Sequence, residues 1–306
     1  MQTSNYLAVS SFSLHSALGP LTIEKRQDDG QLTNLVIEFP RRHSLEEFFE
    51  LARDRVGVKA IELCEIQFDS ATPERIGQLR AALSASGLHL LTLPIDTGNL
   101  GEPNDVWRQQ DERRILRWFE IARELGARYV RVNAGTPGVE VAEAAMDGLV
   151  ASLRSLGDKA NAMGLRLLIE NHGGSSSDPD FLTGLLDKVG PDRLGLLLDL
   201  GNFDPLVAVS HARFTNPDVE DTGLDLEPMY ANIARLAPVA SLVHAKMVDP
   251  ARDGTPLPDV PRALAILAAA GYNGSISIEW EGQKGDPWER TARVASMVRE
   301  VFPNLQ

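Results

Sequence analysis

Short runs of apolar residues alternate with longer amphipathic segments from about residue 58 to the end of the chain. The short runs have the length of strands, and an earlier run adds one more. Together they predict eight strands, at Tyr6–Leu14, Val58–Leu63, Leu88–Ile95, Ala127–Asn133, Leu165–Asn171, Leu194–Leu200, Val239–Met247 and Ser275–Glu281. Strands that alternate with helices are typical of parallel βαβ units, and eight units in 306 residues predict a (β/α)8 TIM barrel. We expect residues 1–306 to form a single barrel domain.

The segments between the strands carry helix start and stop signals. Thr72 stands before the predicted helix Pro73–Ser86 as an N-cap, and Glu74 lies in its first turn. Glycine directly follows three other predicted helices and is the usual residue just past a helix end. These helices are Asp105–Leu125, Val139–Met163 and Pro261–Ala270.

A doubly wound open sheet is the main alternative architecture. The positions of polar residues favour the barrel, because most predicted strands carry one at the C-terminal end: Asn133, Glu170, Asp199, His244 and Glu279. In a barrel these ends converge on one mouth. In an open sheet they would be spread along an edge, at ~4.8 Å per strand.

Residues 15–43 interrupt the alternation after the first strand. They read as a β-hairpin with Asp28-Asp29-Gly30 as its turn. An insertion at this point lies on the active-site face of a barrel, so a lid is one interpretation. A decorative hairpin or an oligomer contact is the other.

The four acidic and histidine residues at strand ends predict a metal site. Burying several carboxylates together is costly unless a cation neutralises them. Glu170, Asp199, His244 and Glu279 offer an oxygen-rich set with one imidazole. This set suits one divalent cation, and we favour Mn²⁺, with Mg²⁺, Co²⁺ and Zn²⁺ as alternatives.

Four stretches that contain these residues resemble the sugar isomerase/epimerase family with the xylose-isomerase-like barrel. They are "LLIENH", "LLLDLGN", "LVHAKMVD" and "GYNGSISIEWEG", within a resemblance that covers roughly residues 45–302. The resemblance implies that Glu170, Asp199, His244 and Glu279 are the metal ligands. Glu279 is preferred to Glu281 because it follows Gly274 by the family's spacing of five residues.

The resemblance also implies a reaction. In the family's ketose enzymes, two ligand glutamates lie on opposite faces of the reacting carbon, which assigns the acid/base pair to Glu170 and Glu279. A proton next to a carbonyl would be removed through an enediolate that the cation stabilises. We expect a sugar or polyol substrate, contacted by residues near the predicted mouth: Glu62, Asn133, His172, Asn202 and Lys246. For His172 and Lys246, support of the metal ligands is the alternative role.

Two other functions remain open at this point. A lyase, such as a dehydratase of a keto-inositol or keto-sugar, would begin with the same proton abstraction. A sugar-binding barrel without catalysis is a second, weaker alternative. An endonuclease-IV-like function is disfavoured, because the predicted strands at Val58–Leu63 and Leu88–Ile95 have no histidine at their C-terminal ends and Asn202 stands where that group has histidine.

Composition narrows the class of protein further. The net charge of −13 argues against a broad nucleic-acid surface, which needs clustered Lys and Arg. Cys64 is the single cysteine, so neither an intrachain disulfide nor a cysteine zinc site can form. The chain has no apolar stretch of membrane-spanning length and no basic, apolar leader at Met1–Asn5, so we expect a cytoplasmic protein without a membrane partner. By likeness to the family, a homodimer or homotetramer is expected.

Overall fold

A computed structural model describes residues 4–214, 216 and 218–306. Within these residues, eight parallel strands form a closed barrel in the order β1-β10-β9-β8-β7-β6-β5-β4, which confirms the predicted TIM barrel. The strands of the barrel and of a separate two-stranded sheet are β1 (Leu7–Ser10), β2 (Leu21–Arg26), β3 (Leu32–Ile37), β4 (Ala60–Glu62), β5 (His89–Pro94), β6 (Tyr129–Val132), β7 (Arg166–Glu170), β8 (Leu194–Asp199), β9 (Ala240–Met247) and β10 (Ser275–Trp280).

Helices surround the barrel and connect its strands. They are α1 (Leu45–Leu51), α2 (Pro73–Ser86), α3 (Asp105–Leu125), α4 (Met146–Ala162), α5 (Pro179–Val189), α6 (Leu206–Arg213), α7 (Glu227–Leu236), α8 (Val260–Ala269) and α9 (Pro287–Val301). In the described part of the chain, no helix is long and apolar enough to cross a membrane.

Local signals in the sequence explain where several helices begin and end. At the start of α2, the Thr72 hydroxyl accepts the N–H of Arg75 at 3.3 Å. At the start of α1, Ser44 and Glu47 exchange side-chain and backbone hydrogen bonds in a capping box. Gly126 ends α3 with a φ of 79°, a conformation that a residue with a Cβ adopts only at a cost.

Two predicted elements are shorter in the structure. The predicted strand Tyr6–Leu14 is a strand only at Leu7–Ser10, because the Ser10 hydroxyl accepts the N–H of Phe12 and starts a 3₁₀ turn over Ser11–Leu14. The predicted helix Val139–Met163 forms only from Met146, after a loop and a short 3₁₀ turn.

Two apolar layers hold the barrel together. The larger layer fills the space between the strands and the surrounding helices. The smaller layer lies inside the barrel and is made of Ala8, Ala60, Leu91, Tyr129, Leu168, Leu197 and Leu242. Side chains two residues apart on a strand share a face, so the residues two positions after Leu168, Leu197 and Leu242 point into the same interior, nearer the mouth. Those residues are Glu170, Asp199 and His244.

The insertion between β1 and α1 is a β-hairpin, as the sequence predicts. Its strands β2 and β3 pair antiparallel, from Leu21 opposite Ile37 to Arg26 opposite Leu32. The turn contains Gly30, which has a φ of 85° and donates its N–H to the carbonyl of Gln27 at 2.8 Å. The hairpin forms one wall of a cavity above the barrel mouth, a position in which a lid or substrate-contact role is open to it.

Ion pairs attach the hairpin to α3. Arg26 contacts the carboxylate of Asp111, whose side chain is 1% exposed. Arg114 joins the same carboxylate at 2.7 Å and also contacts Glu24 of the hairpin. The guanidinium of Arg26 lies over the ring of Trp107, with 5.5 Å between the Arg26 Cζ atom and the ring centroid. Asp111 is therefore the common partner of both arginines.

We predict that Asp111→Ala releases the hairpin from α3. The substitution leaves two partly buried guanidinium groups without their shared carboxylate, which should lower the free energy of unfolding by about 1–3 kcal/mol. Limited trypsin digestion should then cut after Lys25 or Arg26 faster than in the unchanged protein. Asp187→Ala, the same change at an exposed site on α5, is the control. Equal cleavage rates in the Asp111 variant and the control would contradict this anchoring.

Candidate metal centre

Four neighbouring strands, β7 to β10, carry the four residues of the predicted metal set. Glu170 and Asp199 end β7 and β8, while His244 and Glu279 lie near the C-terminal ends of β9 and β10. Asp199 is directly opposite His244 in the β8–β9 register. All four residues are buried, between 0% and 7% exposed.

His244 Nδ1 is the point that these carboxylates share. It lies 3.5 Å from Asp199 Oδ2 and 3.7 Å from Glu170 Oε1. Ligand atoms of these three residues all lie within 4.8 Å of one another, so the triplet could hold a metal ion. Glu279 is outside this triplet but approaches it, with Oε2 at 3.7 Å from His244 Nδ1.

Asp199 presents only one of its two oxygens to the centre. Its Oδ1 accepts the N–H groups of Gly201, at 2.7 Å, and Asn202, at 3.1 Å, in a tight turn after β8. Its Oδ2 has no hydrogen-bond partner among the described residues. Burial acts to raise the pKa of Asp199, but the charge of Lys246, 3.7 Å away, together with His244 and the N–H of Gly201, lowers that pKa. The carboxylate is therefore charged and has a free lone pair.

Glu62 fixes the orientation of His244 from behind. Glu62 Oε2 lies 2.8 Å from His244 Nε2, and Glu62 is completely buried. Because a carboxylate can only accept, Glu62 favours a hydrogen on Nε2, which leaves Nδ1 as the nitrogen that can give up its proton and offer a lone pair to an ion. A carboxylate behind a metal-binding histidine is a common arrangement in metal sites. The sequence predicts Glu62 as a substrate contact, whereas the structure places it behind His244 and away from the cavity wall.

The donor set fits a divalent cation. Nδ1 of His244 faces three carboxylates and has no hydrogen-bond partner within the described ranges. Burial acts to lower the pKa of His244, but the charges of Glu62 and Glu279 raise it well above its ordinary value. The carboxylates thus attract positive charge to the Nδ1 position, which a divalent cation would supply in place of a proton.

Arg131 holds the carboxylate of Glu170 and is not among the site residues predicted from the sequence. Its Nε lies 2.7 Å from Glu170 Oε2, and its Nη1 donates to Asp96 Oδ1 at 2.5 Å. Burial acts to lower the pKa of Arg131, but Asp96 and Glu170 raise it, so the guanidinium stays charged. Burial raises the pKa of Glu170 to about 7, although Arg131 and His244 act against that rise. The signal in the sequence that could have identified Arg131 is its charge inside a predicted strand, two positions before Asn133.

The ammonium group of Lys246 has a protein acceptor for each of its hydrogens. Its ammonium group contacts Glu281, lies 3.1 Å from Glu279 Oε1 and donates to Asn202 Oδ1 at 2.7 Å. An ammonium group has three hydrogens, and these three acceptors use them. Asn202 in turn donates to Glu170 Oε1 at 3.1 Å. The sequence predicts Lys246 and Asn202 as substrate contacts; both border the cavity, but their polar atoms are bonded to the site's own carboxylates.

A second chain of contacts leads to His172. Asn133 donates its amide hydrogen to Asp96 Oδ1 at 2.9 Å, and its amide oxygen lies 3.1 Å from His172 Nδ1. Nδ1 must then carry the hydrogen, so Nε2 of His172 is an acceptor. Burial, together with the charges of His211 and Arg131, lowers the pKa of His172 well below its ordinary value. His172 borders the cavity as predicted, and Asn133 stands behind it rather than in the wall.

The centre opens into a cavity of about 640 Å³ between the barrel mouth and the hairpin. Its inner end is polar and includes Glu170, His172, Lys246, Glu279 and two residues that the sequence analysis did not assign to the site. These are His211, in the last turn of α6, and Glu281. Glu281 Oε1 accepts a hydrogen bond from the Ser210 hydroxyl at 2.5 Å. Nothing in the local pattern of α6 marked His211 as a residue of the mouth.

Several solved structures superpose on this fold over most of the chain. The structure of an L-ribulose 3-epimerase superposes with a TM-score of 0.67 at 15% identity, over 98% of this chain and 95% of that one. A magnesium complex of a xylose isomerase-like TIM barrel protein from Mycobacterium smegmatis gives 0.63 at 16% identity, over 98% and 100%. A 3-keto-D-glucoside 4-epimerase from E. coli gives 0.60 at 15% identity, over 84% and 94%.

At these identities the superpositions establish the fold alone. A search of curated protein sequences found no match. The family model for the xylose isomerase-like TIM barrel matches residues 49–300, which contain all four residues of the predicted metal set. The chain therefore belongs to the xylose isomerase-like TIM barrel family.

Proposed function

We propose that the chain is a divalent-metal-dependent sugar isomerase or epimerase that moves a proton on a carbon next to a carbonyl. The observation that carries the proposal is the convergence of Glu170, Asp199 and Glu279 on Nδ1 of His244 at the barrel mouth. Buried carboxylates at such close range require a compensating cation. The mouth of a TIM barrel is also where this fold holds its active sites.

Glu170, Asp199, His244 and Glu279 would hold the ion, and Mn²⁺ is the ion we favour. Three carboxylates with one imidazole suit Mn²⁺ or Mg²⁺ better than a site rich in nitrogen or sulfur ligands would. When bound, the ion would supply positive charge that lowers the energy of an enediolate. Asp199 Oδ2 and His244 Nδ1 support this placement, because neither atom has a hydrogen-bond partner in the described part of the chain.

Glu170 and Glu279 would carry the proton. One carboxylate takes the proton from the carbon beside the carbonyl, the C–H electron pair forms the carbon–carbon double bond, and the carbonyl π pair moves onto oxygen to give the enediolate. Return of a proton to the same carbon from the other face gives the epimer, and return to the neighbouring carbon gives the isomer. Burial raises the pKa values of both glutamates, which makes both better proton acceptors at neutral pH.

The neighbouring residues keep these carboxylates in place. Arg131 and Asn202 hold the two oxygens of Glu170, while Lys246 and Ser10 contact the two oxygens of Glu279. Such fixed partners pre-organise a site, because the carboxylates need no reorientation during the reaction. His172 presents its Nε2 as an acceptor at the cavity wall, where a substrate hydroxyl could donate to it.

The activities of similar structures support a sugar substrate. They include an L-ribulose 3-epimerase, a D-psicose 3-epimerase and a 3-keto-D-glucoside 4-epimerase. Each name describes an epimerase that acts on a carbonyl sugar. We extend this class of substrate to the present chain because it has the same fold as these proteins and has buried carboxylates at the barrel mouth.

The decisive experiment is solvent deuterium exchange. Protein loaded with Mn²⁺ is incubated in D₂O with a panel of ketoses, keto-glycosides and keto-inositols, and the products are followed by NMR. Incorporation of deuterium beside the carbonyl without loss of water supports an isomerase or epimerase. A dehydrated product supports the lyase alternative instead. Exchange that survives exhaustive chelation contradicts metal dependence, and exchange of no compound contradicts the proposed reaction.

Glu170→Gln and Glu279→Gln should each lower the exchange rate of the accepted substrate by about 10²–10⁴-fold, because each removes a proton carrier and a ligand. The rate is measured from the initial slope of deuterium incorporation at saturating Mn²⁺. Glu300→Gln, the same change on the exposed end of α9, is the control and should leave the rate unchanged. A near-normal rate in either glutamine variant at the mouth would remove that residue from the acid/base pair.

Glu62→Gln should weaken Mn²⁺ binding by about 10–100-fold, the usual effect of removing a carboxylate behind a ligand histidine. The amide no longer selects the His244 tautomer that presents its Nδ1 lone pair. Mn²⁺ affinity is measured by titration with paramagnetic resonance detection, which does not depend on turnover. Glu300→Gln again serves as the control. Unchanged Mn²⁺ affinity in Glu62→Gln would show that Glu62 does not orient the histidine.

A further inference from the structure

The cavity has two chemically different ends. The inner end is lined by the carboxylates, Arg131, Lys246 and two histidines, and the proposed reaction takes place there. The outer end is lined by apolar side chains on one face of the hairpin and by the rings of Phe12 and Phe214, while charged residues of the hairpin and of α3 border it beside them. At about 640 Å³, the whole cavity is of the size that holds drug-sized ligands, roughly 300–1,000 Å³. A free monosaccharide is smaller than this class and would occupy the inner end alone.

The hairpin builds the apolar wall with side chains of one face. Leu21 is opposite Ile37, and Ile23 is opposite Leu35, so the four share a face of the two-stranded sheet. All four border the cavity. Leu35 remains 42% exposed there. An apolar side chain that faces a cavity gains free energy when an apolar ligand removes it from water.

Two aromatic rings form the facing part of this outer end. The centroids of Phe12 and Phe214 lie 6.3 Å apart, and both rings pack on the buried His15. Aromatic surfaces of this kind favour flat apolar ligands, which they meet by stacking or edge contact. A hydroxyl-rich sugar ring has little to gain at a wall of leucine, isoleucine and phenylalanine, because its hydroxyls would lose hydration there.

We propose that the substrate is a sugar joined to an apolar, aromatic group, with the sugar at the metal centre and the aromatic group between the hairpin and Phe12 and Phe214. The part of this inference that places the sugar at the metal centre rests on the proposed function. It also restricts the chemistry, because a sugar whose anomeric carbon carries such a group cannot open to a free carbonyl. The carbonyl must then lie on another ring carbon, so the substrate class is a keto-glycoside. A reaction that oxidises a ring hydroxyl of the glycoside must supply it.

The test compares ligands that differ only in the group on the anomeric oxygen. Phenyl and methyl β-D-glucopyranoside, which carry no ketone and cannot react, are titrated into Mn²⁺-loaded protein by calorimetry. The phenyl glycoside should bind on the order of ten-fold more tightly, since its ring is removed from water at the apolar wall. Equal affinities, or no measurable binding of either glycoside, would overturn the proposal.

Two hairpin variants locate the selectivity, with one matched control. Leu35→Ser and Ile23→Ser should each reduce the phenyl-to-methyl affinity ratio several-fold, because each replaces an apolar cavity side chain with a polar one. Val36→Ser makes a comparable change next to Leu35, on the other face of β3 and outside the cavity wall, and should keep the ratio. A ratio that is unchanged in both cavity variants would overturn the assignment of this wall.

A reactive pair separates this inference from the proposed function. Phenyl and methyl 3-keto-β-D-glucosides are incubated with Mn²⁺-loaded protein in D₂O. Preferred exchange of the phenyl compound supports both conclusions, and equal exchange of the two overturns the substrate class while the proposed reaction stands. If neither these compounds nor free ketoses exchange, the proposed reaction fails, and the calorimetric ratio still decides whether the outer end selects an aromatic group.

Discussion

The structure depends on one electrostatic constraint, which is the burial of several carboxylates at the mouth of a closed barrel. Glu62, Asp96, Glu170, Asp199, Glu279 and Glu281 are linked by direct contacts to the guanidinium of Arg131, the ammonium of Lys246 and the imidazole of His244. Six carboxylates meet two permanently charged bases and one histidine. Since unpaired buried charge is costly, the remaining negative charge is the strongest physical argument for a cation at this place.

This constraint also explains how the surrounding residues are used. Asp199 uses one oxygen for a backbone turn and leaves the other free, and His244 gives one nitrogen to Glu62 and presents the other to the centre. Lys246 directs its three hydrogens to Glu279, Glu281 and Asn202. Asp199 and His244 thus each have one polar atom committed to the protein, and each directs its other polar atom toward the place of the prospective ion.

The sequence predicted the parts of this arrangement that follow from strand periodicity. Eight strands with polar C-terminal ends indicate a barrel, and the two-residue repeat places Glu170 above Leu168 and His244 above Leu242 inside it. Contacts between strands are a different matter, because they depend on register and on irregularities such as the shift between Ile61 and Glu62. That is why the pairing of Glu62 with His244 could not be predicted from the chain.

The same limit applies to the substrate contacts expected at Asn202 and Lys246. Periodicity places a side chain at the mouth, but it does not say whether that side chain is bonded to a neighbour or free for a ligand. Arg131 shows the opposite limit. Its charge inside a predicted strand has no explanation in the sequence, and the structure explains it by the ion pairs with Asp96 and Glu170. Pairwise geometry, rather than position at the mouth, decides the role of each residue.

In the proposed function, the hairpin separates the choice of substrate from the chemistry. The carboxylates proposed as the acid/base pair belong to barrel strands whose register is set by the whole closed sheet. The apolar wall belongs to a two-stranded insertion attached to α3 mainly through Asp111. Because a one-residue slip of the hairpin would exchange its two faces, the pairing of Ile23 with Leu35 is what keeps apolar side chains toward the cavity. We therefore expect substitutions on that face to change which group on the proposed substrate is preferred, without moving Glu170 or Glu279.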